Sequence, residues 1–420
     1  MAQTPIPTLP LQPSVRLSHL DWLRIFIIAI LIPFHTAMTF APYGWYVRNN
    51  PISNAAMGLV QFQDKYHMEL LFFIAGVATW FSFGVRGWGK YLLERLQRLV
   101  VPVIFAMFVI VPPCYYIAGL HFDRLFRITY GGFWDWYTTA WLPSMTPFSS
   151  FWGVAPRAGA LWFLWYLVLY TFALFPLFSF IYRKAKDTCL PKLAGLFEKP
   201  GAIFLLVIPI ALVLIFLPWK WTIGGDSYRI VGWMLTGDFQ VLYYVIFFTY
   251  GFLLYASPRF QRGIDRSGII AIIIAAVTMT LCFLLTFPEW NTSVWGTQFW
   301  TRYKGEPFTA GRTMFNILLA LTAWSWIVSV IYLARRFLNR AGGFVRWAND
   351  AVLPVYIVHS TFIAVFSYYV VQWRMDVLPK YAIIVVLTYI GSIGWVQLAK
   401  LSNPTRFLMG IRLKKKAPAG

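Results

Sequence analysis

Apolar residues run along this chain in long unbroken stretches, and polar residues gather between them. Ten stretches approach the roughly 20 residues that a helix needs to cross a hydrocarbon core of about 30 Å. They lie near 22–41, 67–84, 99–119, 161–182, 201–218, 238–256, 268–287, 312–334, 350–373 and 381–399. Transmembrane strands alternate apolar and polar positions over about 10 residues, and these runs do not. The pattern predicts an all-α polytopic membrane protein with about ten transmembrane helices.

The connecting segments add direction. With the N-terminus placed in the cytoplasm, the inner segments are short and basic and hold roughly twice as many Lys and Arg as the outer ones. Both termini are therefore expected inside. The outer segments, 42–66, 120–160, 219–237 and 288–311, are long and aromatic. No soluble domain, repeat or low-complexity tract is visible. The expected division is a cytoplasmic tail at 1–21, a ten-helix domain at 22–399 and a basic cytoplasmic tail at 400–420. The Pro-rich start, with Arg16 as its basic residue, lacks the basic region and cleavage site of a signal peptide and reads as a tail.

Composition sharpens the class. The 420 residues are 59% hydrophobic and 12% charged, against about 45–50% and 25% in soluble domains. Such a chain cannot hide its apolar surface in one aqueous core, which excludes a soluble enzyme and a disordered protein. The formal charge of +21 lies between apolar runs, so membrane flanks account for it better than nucleic acid does. Lys414, Lys415 and Lys416 are placed to touch anionic lipid. Three scattered cysteines imply no disulfide framework.

Ionisable residues inside the apolar runs carry the chemistry. Arg24 and His35 are eleven residues apart, three helical turns plus about 20°, so they share a stripe about 16 Å long. Asp21 lies one turn before Arg24. His35 should sit deep in the bilayer, toward the outer half, where an ionisable group marks function by default. An imidazole there suits a general base; a hydrogen-bonded core histidine is the bland reading. His67 and Glu69 open the second helix near the same depth, either to orient a base and hold an acceptor or as an ordinary helix start favoured by the dipole. Arg95 and Arg98, at i and i+3, suit phosphate or form a plain basic flank. His359, a turn and a half into the ninth helix, is a further polar position, expected on the cytoplasmic side of the bundle, or a packed histidine. His19 and His121 read as loop residues. No zinc spacing or phosphate-cradling glycine loop appears, so no metal is expected. The Asn291-Thr292-Ser293 sequon is a chance-level match. Trp134, Trp136, Trp141, Trp152, Trp219, Trp221, Trp233, Trp290, Trp295 and Trp300 read as an interfacial belt or as stacking platforms for sugar rings.

Taken in order, five motifs resemble the membrane acyltransferase-3 family across nearly the whole chain. They are Arg24 with His35; Glu69 ahead of Phe72-Phe73-Ile74-Ala75-Gly76; Arg95-Leu96-Gln97-Arg98; Leu161-Trp162-Phe163-Leu164; and Val355-Tyr356-Ile357-Val358-His359. Ile32-Pro33-Phe34-His35, Trp45-Tyr46-Val47 and the run from His67 to Phe83 resemble most the glucan-biosynthesis branch, which succinylates periplasmic glucans. Ala75-Gly76 stands where Ser-Gly is usual, and Glu69 is a position that varies in type. The resemblance implies a multi-pass protein of the bacterial inner membrane. It would move an acetyl or succinyl group from cytoplasmic acyl-CoA to a hydroxyl of an extracytoplasmic glycan. His35 would be the general base, with Arg24 and Asp21 beside the cofactor or the developing oxyanion. Arg95 and Arg98 would bind CoA phosphates, and His67, Glu69 and Trp45 the acceptor.

A transporter or flippase with intramembrane His and Arg is the rival class. It would show paired helix breaks in two halves, and Pro33, Pro112-Pro113, Pro209 and Pro354 form no such pattern. A pure scaffold leaves the shared stripe of Asp21, Arg24 and His35 without a reason. The orientation is tested by topology reporters: fusions after Trp136 and Trp295 should read external, and fusions after Lys186 and Arg340 cytoplasmic. A cytoplasmic 120–160 segment would overturn it.

Overall fold

The computed structural model describes residues 17–42, 45–85, 88–145, 159–216, 241–286, 309–340 and 342–414, and every described element is a helix. Among the described residues, seven helical segments are long and apolar enough to cross a membrane. Two bent pairs qualify as one span each: Gly159–Ala173 with Phe175–Ala185, bent by 54°, and Cys189–Phe197 with Ala202–Phe216, bent by 114°. The shorter helix Val241–Leu254 occupies the sixth apolar run. The chain is an all-α polytopic membrane protein.

The first half supplies α1 (Ser18–Phe40), α2 (Asn54–Asp64), α3 (His67–Val85), α4 (Trp88–Arg95), α5 (Val101–Val109), α6 (Pro112–Phe122) and α7 (Trp162–Ala173). The second supplies α8 (Val241–Leu254), α9 (Pro258–Thr286), α10 (Ala310–Phe337), α11 (Gly343–Val370), α12 (Val377–Ala399) and the short α13 (Asn403–Leu408).

In lipid there is little hydrophobic drive between helices, so close backbone approach at small residues carries the packing. The α3–α8 pair shows this. A Cβ on Gly76 would lie 1.9 Å from the Phe248 carbonyl oxygen, and one on Gly251 would lie 1.9 Å from that of Phe73. The two glycines admit each other's helix. Gly268 of α9 does the same against the ring of Tyr332 on α10, 2.1 Å from a built Cβ.

Helix breaks at membrane depth require replacement partners for the freed backbone groups. Pro33 lies inside α1 and cannot donate to the carbonyl of Ala29. The Tyr389 hydroxyl, from α12, donates to that oxygen at 2.7 Å, and the Tyr381 hydroxyl donates to the Pro33 carbonyl at 3.2 Å. The sharp bend before Ala202 is treated alike. Gly201, at φ +79°, donates its N–H to the Ser267 hydroxyl at 3.0 Å, and the carbonyls of Ile203, Leu206 and Leu214 accept from Trp324, Tyr250 and Asn316.

Several expectations change. α1 already begins at Ser18, and His19 is a buried residue of its first turn, 3.1 Å from the Tyr255 hydroxyl, rather than a loop residue. His121 ends α6 and accepts from the N–H of Arg48 at 3.1 Å. Segment 42–66 holds α2, and the described part of 120–160 is largely short helices. Trp136 and Trp141 are buried in a cluster with Tyr115 and Tyr116, and only Trp134 of these three is exposed. Aromatic neighbours bury two indoles that the spacing alone assigns to the interface. Arg16, Lys415, Lys416, Trp152, Trp219, Trp221, Trp233, Trp290, Trp295, Trp300 and the Asn291–Ser293 sequon lie outside the described residues.

Gly251→Leu is expected to force α3 and α8 apart. Overpacking costs about 1–3 kcal/mol in an adaptable core, and a backbone oxygen cannot yield as a side chain does. Thermal unfolding of the detergent-solubilised protein should show the loss, whereas Gly394→Leu, at a position with open space for a Cβ, should leave stability near native.

Candidate functional site

The site begins where α1 meets α11. His35 Nδ1 lies 2.8 Å from His359 Nε2, with the rings stacked at 5.0 Å between centroids. His359 Nδ1 lies 2.5 Å from the carbonyl oxygen of Tyr356. A carbonyl only accepts, so His359 Nδ1 carries a proton. Neutral His359 then accepts at Nε2, and His35 donates from Nδ1. The lone pair of neutral His35 is therefore on Nε2, which has no partner among the described residues. His359 is not a separate polar site on another side of the bundle; it holds His35 directly.

Trp45 stacks on His35 at 4.6 Å and 12°. Its indole Nε1 is buried without a partner. The segment that carries it is tied down by the Arg48–His121 hydrogen bond. His67, at the start of α3, packs on Phe34 at 4.7 Å and places Nδ1 3.1 Å from the Gln63 carbonyl. By the same reasoning its Nδ1 is the donor, and its buried, unpartnered Nε2 bears the lone pair. His35, Trp45, His67, Asp64 and Tyr244 line one cavity of about 490 Å³. Two imidazole acceptors and one indole donor thus share a space suited to a molecule with several hydroxyls.

Glu69 is not among the residues that line this cavity. It is buried between α3 and α8, where Oε1 accepts from the Tyr243 hydroxyl at 3.0 Å. The helical offset of two residues from His67 turns it away, toward the glycine-mediated interface.

A second cavity, of about 370 Å³, is lined by Arg24, Arg95, Arg98, Tyr91, Glu94 and Asn349, among others. Arg24 lies 3.9 Å from Asp21. Arg95 donates to the Thr79 hydroxyl at 3.2 Å and covers the Tyr91 ring at 5.3 Å. Arg98 stands in the π-helical turn Leu96–Val100 that joins α4 to α5, a distortion common at functional sites. The sequence spacing correctly brings Arg95 and Arg98 to one cavity. The structure places Arg24 in that cavity too, away from His35 on the same stripe, which spans about 16 Å.

Tyr356 lines both cavities. Its hydroxyl donates to the carbonyl of Ala160, and its ring meets Phe163 edge-on at 5.9 Å. Tyr356 thus stands where the arginine-lined space adjoins the imidazole-lined one, and Ala160 lines the latter. The role of Tyr356 was hidden in the sequence, although it stands in the motif that ends at His359; only the approach of Gly159–Leu161, 196 positions away, reveals it.

No solved structure matches the chain. A family model described as an acyltransferase domain matches residues 17–395. Curated relatives include "Glucans biosynthesis protein C" of Salmonella heidelberg (strain SL476), 22% identical over 370 residues and covering 85% of each chain. The protein of the same name from Salmonella schwarzengrund (strain CVM19633) is 23% identical over the same share. The matched region holds both cavities' motifs, from Asp21 to His359, and on it the chain belongs to the acyltransferase-3 family of membrane acyltransferases.

Proposed function

We propose that this acyltransferase moves an acetyl or succinyl group from cytoplasmic acyl-CoA to a hydroxyl of an extracytoplasmic glycan at the bacterial inner membrane. The observation that carries the reading is the meeting of two unlike cavities at Tyr356, one cationic and one lined by imidazole lone pairs. Phosphates attract the first through Arg95 and Arg98. Arg24, held by Asp21, belongs to this donor side, so its role is binding the cofactor rather than stabilising the oxyanion near His35. The aromatic and imidazole groups of the second cavity hold the sugar: His67 accepts from one hydroxyl, and Trp45 offers its indole N–H.

His35 Nε2 removes the proton from the attacking hydroxyl as its oxygen bonds to the thioester carbonyl carbon. Collapse of the tetrahedral intermediate breaks the carbon–sulfur bond, and the leaving thiolate takes the proton back. His359 is the positioning residue, since its bond to His35 Nδ1 keeps the lone pair of His35 on Nε2. The short-basic inner segments support this orientation, with residues 1–21 and the end of the basic tail in the cytoplasm. Glu69 acts on the acceptor site only through the α3–α8 packing.

The test uses purified protein, acyl-CoA and a glucan acceptor. His35→Ala should lower acyl transfer by about 10²–10⁴-fold, the contribution of a general base, with CoA binding nearly native. His359→Gln keeps an acceptor for His35 Nδ1–H and should retain more turnover than His359→Leu, with KM for the donor unchanged in both. Near-native transfer by a correctly inserted His35→Ala protein would remove His35 from the chemistry. Equal losses in the two His359 variants would reduce His359 to packing.

A further inference from the structure

The C-terminal tail does not simply trail from the bundle. After α12 the chain turns through α13 and returns as a strap, Met409–Arg412, that lines the arginine-rich cavity with Gly410, Ile411 and Arg412. The strap is built in. Met409 and Ile411 are 2% and 6% exposed and belong to the main core. Gly410 between them has φ +66°, where a side chain is strained, and a Cβ there would lie 2.7 Å from Leu353 and 3.2 Å from the Arg98 carbonyl oxygen. Arg406 clamps both ends of the turn, donating to the carbonyl of Lys400 at 3.0 Å and to that of Arg412 at 2.8 Å. Asn403 accepts the N–H of Lys414 at 2.9 Å.

This architecture delivers one free cation to the cavity. The Arg412 guanidinium has no partner among the described residues. Tyr91, 2% exposed, lines the same space with an unpartnered hydroxyl, and the Asn349 side-chain amide nitrogen is likewise buried and unpartnered. Four arginines, 24, 95, 98 and 412, face two carboxylates, Glu94 and Asp350, so the lining is cationic on balance. The family match ends at residue 395, ahead of the strap.

We propose that the strap is a working wall of the donor site and that Arg412 binds a phosphate of the donor nucleotide. The inference rests on the acyl-CoA reading above and adds a binding residue to it. CoA carries a pyrophosphate and a separate 3′-phosphate; Arg95 and Arg98, one helical turn apart, take one of these groups, and Arg412, from the strap packed beside Arg98, takes the other. Bidentate geometry and permanent charge make arginine the fitting residue.

The experiment is calorimetric titration of the full-length protein in phosphatidylcholine nanodiscs with CoA and, separately, with pantetheine, which lacks the phosphates. Arg412→Ala should weaken CoA binding by about tenfold, the order of one charge-assisted contact, and leave pantetheine unaffected. Arg412→Lys should restore most of the loss. Gly410→Val, which expels the strap without removing a charge, should reproduce it. Native CoA affinity in Arg412→Ala, beside a weakened Arg95→Ala/Arg98→Ala double variant, would overturn the strap's role and leave the donor reading intact. An effect of Arg412→Ala that appears only when phosphatidylglycerol replaces phosphatidylcholine would make Arg412 a lipid contact and overturn it as well. If CoA does not bind the native protein, or the double variant binds it normally, the donor reading falls and the strap falls with it.

Discussion

A 2.8 Å hydrogen bond between His35 and His359 joins two helices whose partners are 324 positions apart, and its direction is set by a third group, the carbonyl of Tyr356. An imidazole alone has two tautomers, and only one of them offers the lone pair on the side of the cavity. Because a carbonyl cannot donate, the proton on His359 Nδ1 propagates a fixed polarity to His35 Nε2. The stacked Trp45 then prevents the His35 ring from turning away. The residues that set this polarity are Tyr356 and His359, both on α11, so the register of one helix against another becomes a chemical variable. A shift of one residue in α11 would remove the partner of His35 altogether.

That register is secured by the demands of the bilayer. Pro33, two residues from His35, opens the carbonyl of Ala29, and the hydroxyl of Tyr389 closes it. The α1–α11 pair that carries His35 and His359 is pinned further along by Thr39 and Ser367, 3.3 Å apart. On the other side, α3 carries His67 into the cavity and Glu69 out of it, and its seat against α8 is set by two glycines that touch carbonyl oxygens. Each fixed point is a polar or steric contact rather than a gain in apolar burial, as expected where lipid competes equally for apolar surface.

The periodicity of the chain contained the membrane class, because a run of apolar residues has one physical outcome in a chain this poor in charge. It also contained the stripe of Asp21, Arg24 and His35, and the i, i+3 pair Arg95 and Arg98, since both follow from the geometry of a single helix. What it could not contain is any contact between helices. His359 seemed a separate site because depth along its own helix says nothing of which neighbour it meets. Glu69 seemed to belong with His67 because two residues of separation look close in sequence, yet they amount to about 200° around a helix. Arg24 could have faced either the cofactor or the oxyanion; it lines the cavity of Arg95 and Arg98, while His35 lines the other. The fifth run, 201–218, reads as one helix and its described part, Ala202–Phe216, is helical; the 114° bend that sets it against Cys189–Phe197 lies at its start, where Gly201 takes the left-handed region.

Under the proposed reaction, the partition at Tyr356 would keep the two substrates in separate spaces. A thioester open to water can be lost to hydrolysis, and a base poised at the wrong moment would speed that loss. Tyr356 is well placed to prevent it: the ring stands between the cavities, and the hydroxyl is bound to the carbonyl of Ala160. The residue that separates the spaces also supplies, through its own carbonyl, the acceptor that orients His359 and hence His35. A displacement of the α11 backbone at Tyr356 large enough to open the partition would therefore disturb the tautomer of the base as well. Under that reading, access and basicity are coupled through a single residue.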